Sequence, residues 1–156
     1  MGRTLLVSHR LPFSVAIKEQ QYTLESSVGG LATGLMPLLQ DNNLWLGWNG
    51  TSKKLTDGMD DEIRTDFQDQ GCIPIDFPEE DHQPFLTEMC NGIIWPLYHY
   101  QIGNLPLQFS GWEEYVRINK KVADTIAEAA RPGDMVWIHD YHFQLLPQML
   151  RDLNLE

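Results

Sequence analysis

The segment that most restricts how this chain folds is Val136-Trp137-Ile138-His139-Asp140-Tyr141-His142. A run of strand formers stops in a cluster of ionisable and aromatic residues, and an amphipathic stretch from Phe143 to Leu153 follows at once. A strand that leads straight into a helix belongs to an open α/β sheet, where the carboxyl ends of strands face a crevice rather than the core. Two histidines, an aspartate and a tyrosine in four positions are therefore delivered to one place. The cluster alone also has a plain structural reading, an interior histidine bonded to a carbonyl and an aspartate capping the next helix.

The rest of the chain repeats the pattern. Leu5-Leu6-Val7 is a short apolar run suited to a buried parallel strand, and it breaks at Ser8-His9-Arg10. A loop of mixed polarity is expected to about Ser27, after which Gly29-Gly30 opens a helix with Leu31, Leu35, Leu38 and Leu39 on one side. Leu44 to Trp48 is a second strand, ended by Asn49-Gly50. Residues 51–70 read as loop and short helix. Cys72 to Ile75 is a strand that Pro74 restricts to an edge or an end, and the acid-rich piece 76–84 is connection. Gly92 to Trp95 reads as another strand. Ser110 and Glu113 form a capping pattern ahead of a helix carrying Tyr115, Ile118, Val122, Ile126 and Ala129 at helical spacing. Pro147 is expected to kink the last helix unless it sits in its first turn. Strand, helix and strand in alternation predict one α/β domain over residues 1–156, a Rossmann-like, mostly parallel sheet with flanking helices.

Composition removes several classes of function. The net charge is −11, and between Leu55 and Tyr100 the only basic residue is Arg64. Nucleic-acid binding rests on clustered Lys and Arg, so none is expected. No apolar run approaches the roughly 18 residues of a membrane span. Cys72 and Cys90 stand in no metal-like spacing, which fits two ordinary thiols in a reducing cytoplasm, with no metal and no cofactor expected.

Arg10 at a strand end is suited to a phosphate, being permanently charged and able to bind it with two parallel bonds. Gly29-Gly30 at a helix start lets a ligand approach the backbone. Each signal is weak alone, but their order is specific. Arg10, Ser27 to Leu35, Trp45-Leu46-Gly47-Trp48-Asn49-Gly50, Trp95-Pro96-Leu97-Tyr98-His99-Tyr100, Tyr115 to Asn119 and Val136 to His142 together resemble the N-terminal region of the trehalose-6-phosphate synthase family, glycosyltransferase family 20. Its members are retaining enzymes built from two Rossmann-like domains, the GT-B arrangement. The resemblance runs from about Leu5 to Leu153. It implies glucosyl transfer from a nucleotide sugar, usually UDP-glucose, to a sugar phosphate, glucose 6-phosphate, in a cleft between two domains. Carried over residue by residue, it implies that Arg10 binds the acceptor phosphate and that Trp48 and Trp95 shape the acceptor pocket. Gly29 and Gly30 would border the donor diphosphate, and Asp140 would lie against the reacting sugars as the catalytic carboxylate, with His139 and His142 as supporting positions beside it.

Three departures qualify that implication. The family's Ser-Asn-Arg is here Ser8-His9-Arg10. Its phosphate-binding tyrosine falls near Phe85 and Leu86, neither of which offers a hydroxyl. The second domain, with the Arg and Lys that hold the donor diphosphate, is absent from these 156 residues. An N-terminal domain without its partner is expected to be inactive alone, and bare apolar surface is expected to favour a homo-oligomer. A glucosylglycerol-phosphate synthase with glycerol 3-phosphate as acceptor, and a non-catalytic sugar-phosphate-binding or interaction module, stand as alternatives.

Overall fold

The computed structural model describes residues 2–18, 21–27, 29–51 and 57–153. In chain order its main elements are β1 (Thr4–Arg10), β2 (Phe13–Lys18), β3 (Gln21–Ser26), α1 (Gly30–Leu35), β4 (Leu44–Trp48), α2 (Asp57–Asp69), β5 (Cys72–Ile75), α3 (Glu79–Gln83), α4 (Trp95–Tyr98), α5 (Trp112–Ala129), β6 (Met135–Ile138) and α6 (Leu146–Asp152). The sheet order is β5-β4-β1-β6, with every pair parallel. β5, the strand that Pro74 confines to an edge or an end, stands at an edge.

β1 is apolar over Leu5-Leu6-Val7, where both of its faces are covered. Leu5 and Val7 pack with Tyr115, Ile118 and Val122 of α5 and Leu146 of α6. Leu6 turns the other way, to Ile63 and Phe67 of α2 and to Val15 of the β2–β3 hairpin. Leu5, Leu6 and Val7 are fully buried, and each stabilises the fold by roughly 1.5–3 kcal/mol. β6 shares one face only. Val136 and Ile138 pack on the α5 side, while Met135 and Trp137 are 57% and 42% exposed.

Four expectations are corrected. The stretch read as a loop to Ser27 contains an antiparallel hairpin, β2 with β3, in which Phe13, Val15 and Ile17 alternate with Ser14, Ala16 and Lys18. Gly92 to Trp95 is helical. A wide π-turned segment, Pro84–Ile94, joins α3 to α4 without a break, and buried Ile93 and Ile94 lie on its inner side. An apolar run of four residues is equally at home in a buried helix. α1 ends at Leu35 and Met36–Asp41 winds as a 3-10 helix, so Leu31, 43% exposed, does not share a buried stripe with Leu38 and Leu39. The start of α5 is Gly111 in a left-handed conformation (φ 79°) with no side-chain cap, in place of a Ser110–Glu113 box. A Cβ on Gly111 would stand 2.7 Å from the Pro84 carbonyl oxygen, so the approach of the preceding helix selects glycine. The uncertain piece at 51–70 holds α2, and residues 52–56 lie outside the described residues.

Candidate active site

The first side of the site is built by an irregularity in β1. Val7 pairs with Leu46, but Arg10 pairs with Trp48, so three steps on β1 answer two on β4. An extra residue in one strand re-aims the side chains beyond it. Gly47 is the residue opposite, and a Cβ there would lie 2.5 Å from the Ser8 carbonyl oxygen and 3.3 Å from the Arg10 carbonyl carbon. Only glycine admits this approach. Without the slip, His9 and Arg10 would point to opposite faces. With it, His9 is buried on the α5 side and the Arg10 guanidinium stands 5.1 Å over the Trp48 ring. Ser8 Oγ donates to the Arg10 carbonyl (2.7 Å) and accepts from Trp45 Nε1 (2.7 Å), which locks the bulge.

The second side is the turn after β6. Asp140 has φ 69° and ψ 179°, a region that glycine occupies and other residues avoid, at about 1–3 kcal/mol. Its Oδ1 accepts from the Tyr141 backbone N–H at 2.8 Å, the capping role that a bland reading assigns it. Helix α5 braces the turn. Tyr115 Oη donates to the Tyr141 carbonyl (3.0 Å) and accepts from Gln144 N–H (3.1 Å). Fully buried Asn119 donates to the His142 carbonyl (3.2 Å) and accepts from Leu145 N–H (3.3 Å). Nearly all buried polar groups find partners, and here two do not: His139 Nε2 and His142 Nδ1 have none among the described residues. His142 Nδ1 lies 3.8 Å from Asp140 Oδ2, beyond hydrogen-bond reach.

Between these sides lies a cleft of about 230 Å³, lined among others by His9, Arg10, Gly29, Ala32, Asp140 and His142. That volume is below the roughly 300–1,000 Å³ of sites for drug-sized ligands and suits one sugar-sized group. Arg10, Gly29, Asp140 and His142 are thus brought together as the sequence predicts. Gly29 and Gly30 are exposed and a Cβ on either would meet open space, so the backbone is free to be approached. Trp95 lines an adjoining, wider depression of about 600 Å³ with Tyr98, His99, Tyr141 and Gln144, and Asp140 belongs to both. Trp48 is different: it is buried and serves as the floor under Arg10 rather than as a wall. His139 packs against Trp137 (ring centroids 4.7 Å apart) and lines neither.

The residue that sequence reasoning missed is His82 on α3, within the acid-rich piece read as connection. It is buried, and its Nε2 meets His9 Nε2 at 2.8 Å. His142 stacks on His9 at 4.8 Å and 14°. No spacing rule relates positions 9 and 82; packing alone joins them. Burial lowers the basicity of all three rings. His82 falls to about 4, with Arg10 and His142 adding repulsion, and His9 falls to about 2, with His142, His82 and Arg10 adding theirs. His142 is also lowered by burial, against an opposing attraction from Asp140. At neutral pH the cluster is uncharged, and Arg10 and Asp140 are the charges the cleft presents. Phe85, near which the family's tyrosine would fall, is fully buried, and no hydroxyl stands there. Among the described residues no group of three His, Cys, Asp or Glu side chains is placed to hold a metal ion, and no helix is long and apolar enough to cross a membrane.

Residues 2–155 match the family model described as Glycosyltransferase family 20. A UDP-forming alpha,alpha-trehalose-phosphate synthase of Botryotinia fuckeliana is 38% identical, over 97% of this chain and 29% of that protein. The UDP-forming alpha,alpha-trehalose-phosphate synthase A of Dictyostelium discoideum is 34% identical, over 96% of this chain and 20% of that protein. The solved structure "Trehalose-6-phosphate from E. coli bound with UDP-2-fluoro glucose" superposes with a TM-score of 0.69 at 26% identity, over 97% of this chain and 30% of that one. A UDP-forming alpha,alpha-trehalose-phosphate synthase of Burkholderia xenovorans in complex with glucose-6-phosphate shares the fold, with a TM-score of 0.71 at 24% identity, over 99% of this chain and 32% of that one. The chain therefore spans less than a third of the length of each of these relatives.

Proposed function

Because this chain belongs to glycosyltransferase family 20, we propose that it supplies the acceptor side of a retaining glucosyl transfer from UDP-glucose to glucose 6-phosphate. The observation that carries the proposal is the convergence of Arg10 from β1 and Asp140 from the turn after β6 on one sugar-sized cleft at the carboxyl end of the sheet. The UDP-forming relatives and the neighbour bound with UDP-2-fluoro glucose support the donor.

In this proposal each group has a role its surroundings allow. Arg10 makes no ion pair among the described residues, so its guanidinium is available to the acceptor phosphate. Asp140 orients sugar hydroxyls and supports positive charge developing at the transferred anomeric carbon. The exposed Gly29-Gly30 backbone faces the donor diphosphate. Trp95, 43% exposed, offers a ring face to the apolar side of a sugar. His142 Nδ1 has space for a ligand hydroxyl as its missing partner. This domain is the N-terminal Rossmann-like half of the two-domain arrangement. Self-association through apolar surface such as Met135 and Trp137, and a reducing cytoplasm in which the buried thiols of Cys72 and Cys90 stay free, complete the proposal.

One observation favours a second reading. With Phe85 in the core and Leu86 half-buried, neither residue at the family's tyrosine position offers the acceptor phosphate a hydroxyl, and glycerol 3-phosphate, needing fewer contacts, becomes the alternative acceptor. Titration of the labelled chain with glucose 6-phosphate, glycerol 3-phosphate and UDP-glucose separates the two. The first reading expects saturable shifts with glucose 6-phosphate that Arg10→Ala weakens at least tenfold, the order of a lost charge-assisted bond. Shifts with glycerol 3-phosphate alone would support the second. Silence from all three in the folded chain would count for a module that binds none of them.

A further inference from the structure

We propose that His82 is a positioning residue of the cleft, acting with His9 through Trp48 to hold Arg10. This rests on the reading of Arg10 as the cation for the acceptor phosphate. Arg10 is exposed, its guanidinium has no carboxylate partner among the described residues, and it lies over the Trp48 ring at 5.1 Å. The direction of the guanidinium therefore follows the tilt of that ring. A long arginine side chain otherwise has rotamers to spare, and ordering it on arrival of a phosphate costs affinity.

Trp48 is in turn held at two places. Its Nε1–H donates to the Thr51 carbonyl at 3.1 Å. The His82 ring packs on it with centroids 4.2 Å apart, and His9 lies nearly parallel at 5.7 Å and 15°. An apolar side chain at 82 would bury Trp48 equally well, but would not set the angle between these rings. The Nε2–Nε2 bond does, because it forms only when one neutral ring donates and the other accepts along a common line. Burial keeps both partners neutral, and neither has a carboxylate partner among the described residues. Helix α3, 73 residues away in sequence, is by this bond tied to the same strand end that presents Arg10.

The test follows the Arg10 Nε–H resonance and glucose 6-phosphate affinity in the chain as it is, in His82→Leu and in His82→Gln. We expect His82→Leu to shift the Arg10 signal and to weaken glucose 6-phosphate binding up to about fivefold, the equivalent of an exposed cation–π contact. We expect His82→Gln, whose amide can still meet His9 Nε2, to restore both in part. Wild-type affinity within twofold in a folded His82→Leu, with the Arg10 signal unmoved, would overturn the proposal. If the unsubstituted chain binds no glucose 6-phosphate, it is the acceptor reading that fails, and the Arg10 signal alone decides the positioning role: a shift supports it and none overturns it. Should His82→Leu not fold, His9→Leu/His82→Leu removes both polar partners together and carries the same readouts, since deleting a buried pair is tolerated better than orphaning one member.

Discussion

The two strand ends that make the cleft are built on opposite principles. At the end of β1 the buried polar side chains are paired: Ser8 bonds forward to Arg10 and sideways to Trp45, and His9 bonds to His82. At the end of β6, Asp140 sits in a backbone region made for glycine, and two buried ring nitrogens lack partners. The difference follows position. β1 lies inside the sheet with both faces covered, whereas β6 lies at its edge with one face bare. What the contrast teaches is where stability has been given up. Strain and unmet hydrogen bonds gather in the turn that follows β6, and the surrounding brace from Tyr115 and Asn119 keeps that turn from relaxing.

Acid gives the largest test of this contrast, because it charges three buried rings. The basicity of His9, His82 and His142 is depressed in the folded chain, so the unfolded chain takes up protons first and stability falls as pH drops. Stability is expected to be complete above the ordinary value of 6.5 and to decline from there through about 4, where His82 charges. Thermal melts across that range check the decline. A residue-resolved titration sharpens it: all three rings should charge below the ordinary value of 6.5, with Asp140 favouring the charged form of His142. A melting temperature flat from pH 7 to about 4 would show that the rings are not buried as described.

Next in size is Gly47→Ala. Its Cβ would meet strand backbone rather than a flexible side-chain end, and overpacking of this kind costs about 3 kcal/mol. Denaturant unfolding measures the loss, and a change below about 0.5 kcal/mol would deny the tightness of the bulge. The smallest effect is at Asp140. Asp140→Gly and Asp140→Ala both remove the carboxylate, but only glycine relieves the backbone, so the glycine variant should be the more stable by about 1–2 kcal/mol. Equal stabilities would mean that the turn is unstrained.

Much of this was legible in the chain because it rests on short-range pattern. The apolar runs at β1, β4 and β6, and the four-residue spacing along α5, each state their own environment. The hairpin was equally written, in the alternation of Phe13, Val15 and Ile17 with polar neighbours, but an adjacent proline and scattered charges disguised it as loop. Gly92 to Trp95 misled because four apolar residues carry no period. In the site, Arg10, Gly29, Asp140 and His142 were visible as strand-end and helix-start residues. His82 was not, since a histidine among acids looks like solvated connection until α3 is folded onto the sheet. Nor could the sequence separate Trp48 as floor from Trp95 as wall, because both read as the last residue of an apolar, strand-like run and only packing distinguishes them.

The slip in β1 opposite Gly47 has a consequence for how this segment tolerates change in length as against change in kind. Five residues, Val7 to Leu11, carry the chain from a regular pairing with Leu46 to the bond between Leu11 N–H and the Trp48 carbonyl. Exchanging a side chain among them alters that residue's own contacts, such as the two bonds of Ser8. Removing one residue between Val7 and Arg10 would restore strict alternation and keep the arginine opposite Trp48, but would take Ser8 or His9, and with it the bond to Trp45 or to His82, out of the strand end. The extra residue is thus what lets one short segment present a cation while bonding to both covered faces of the sheet, and a codon lost here would remove one of those attachments outright.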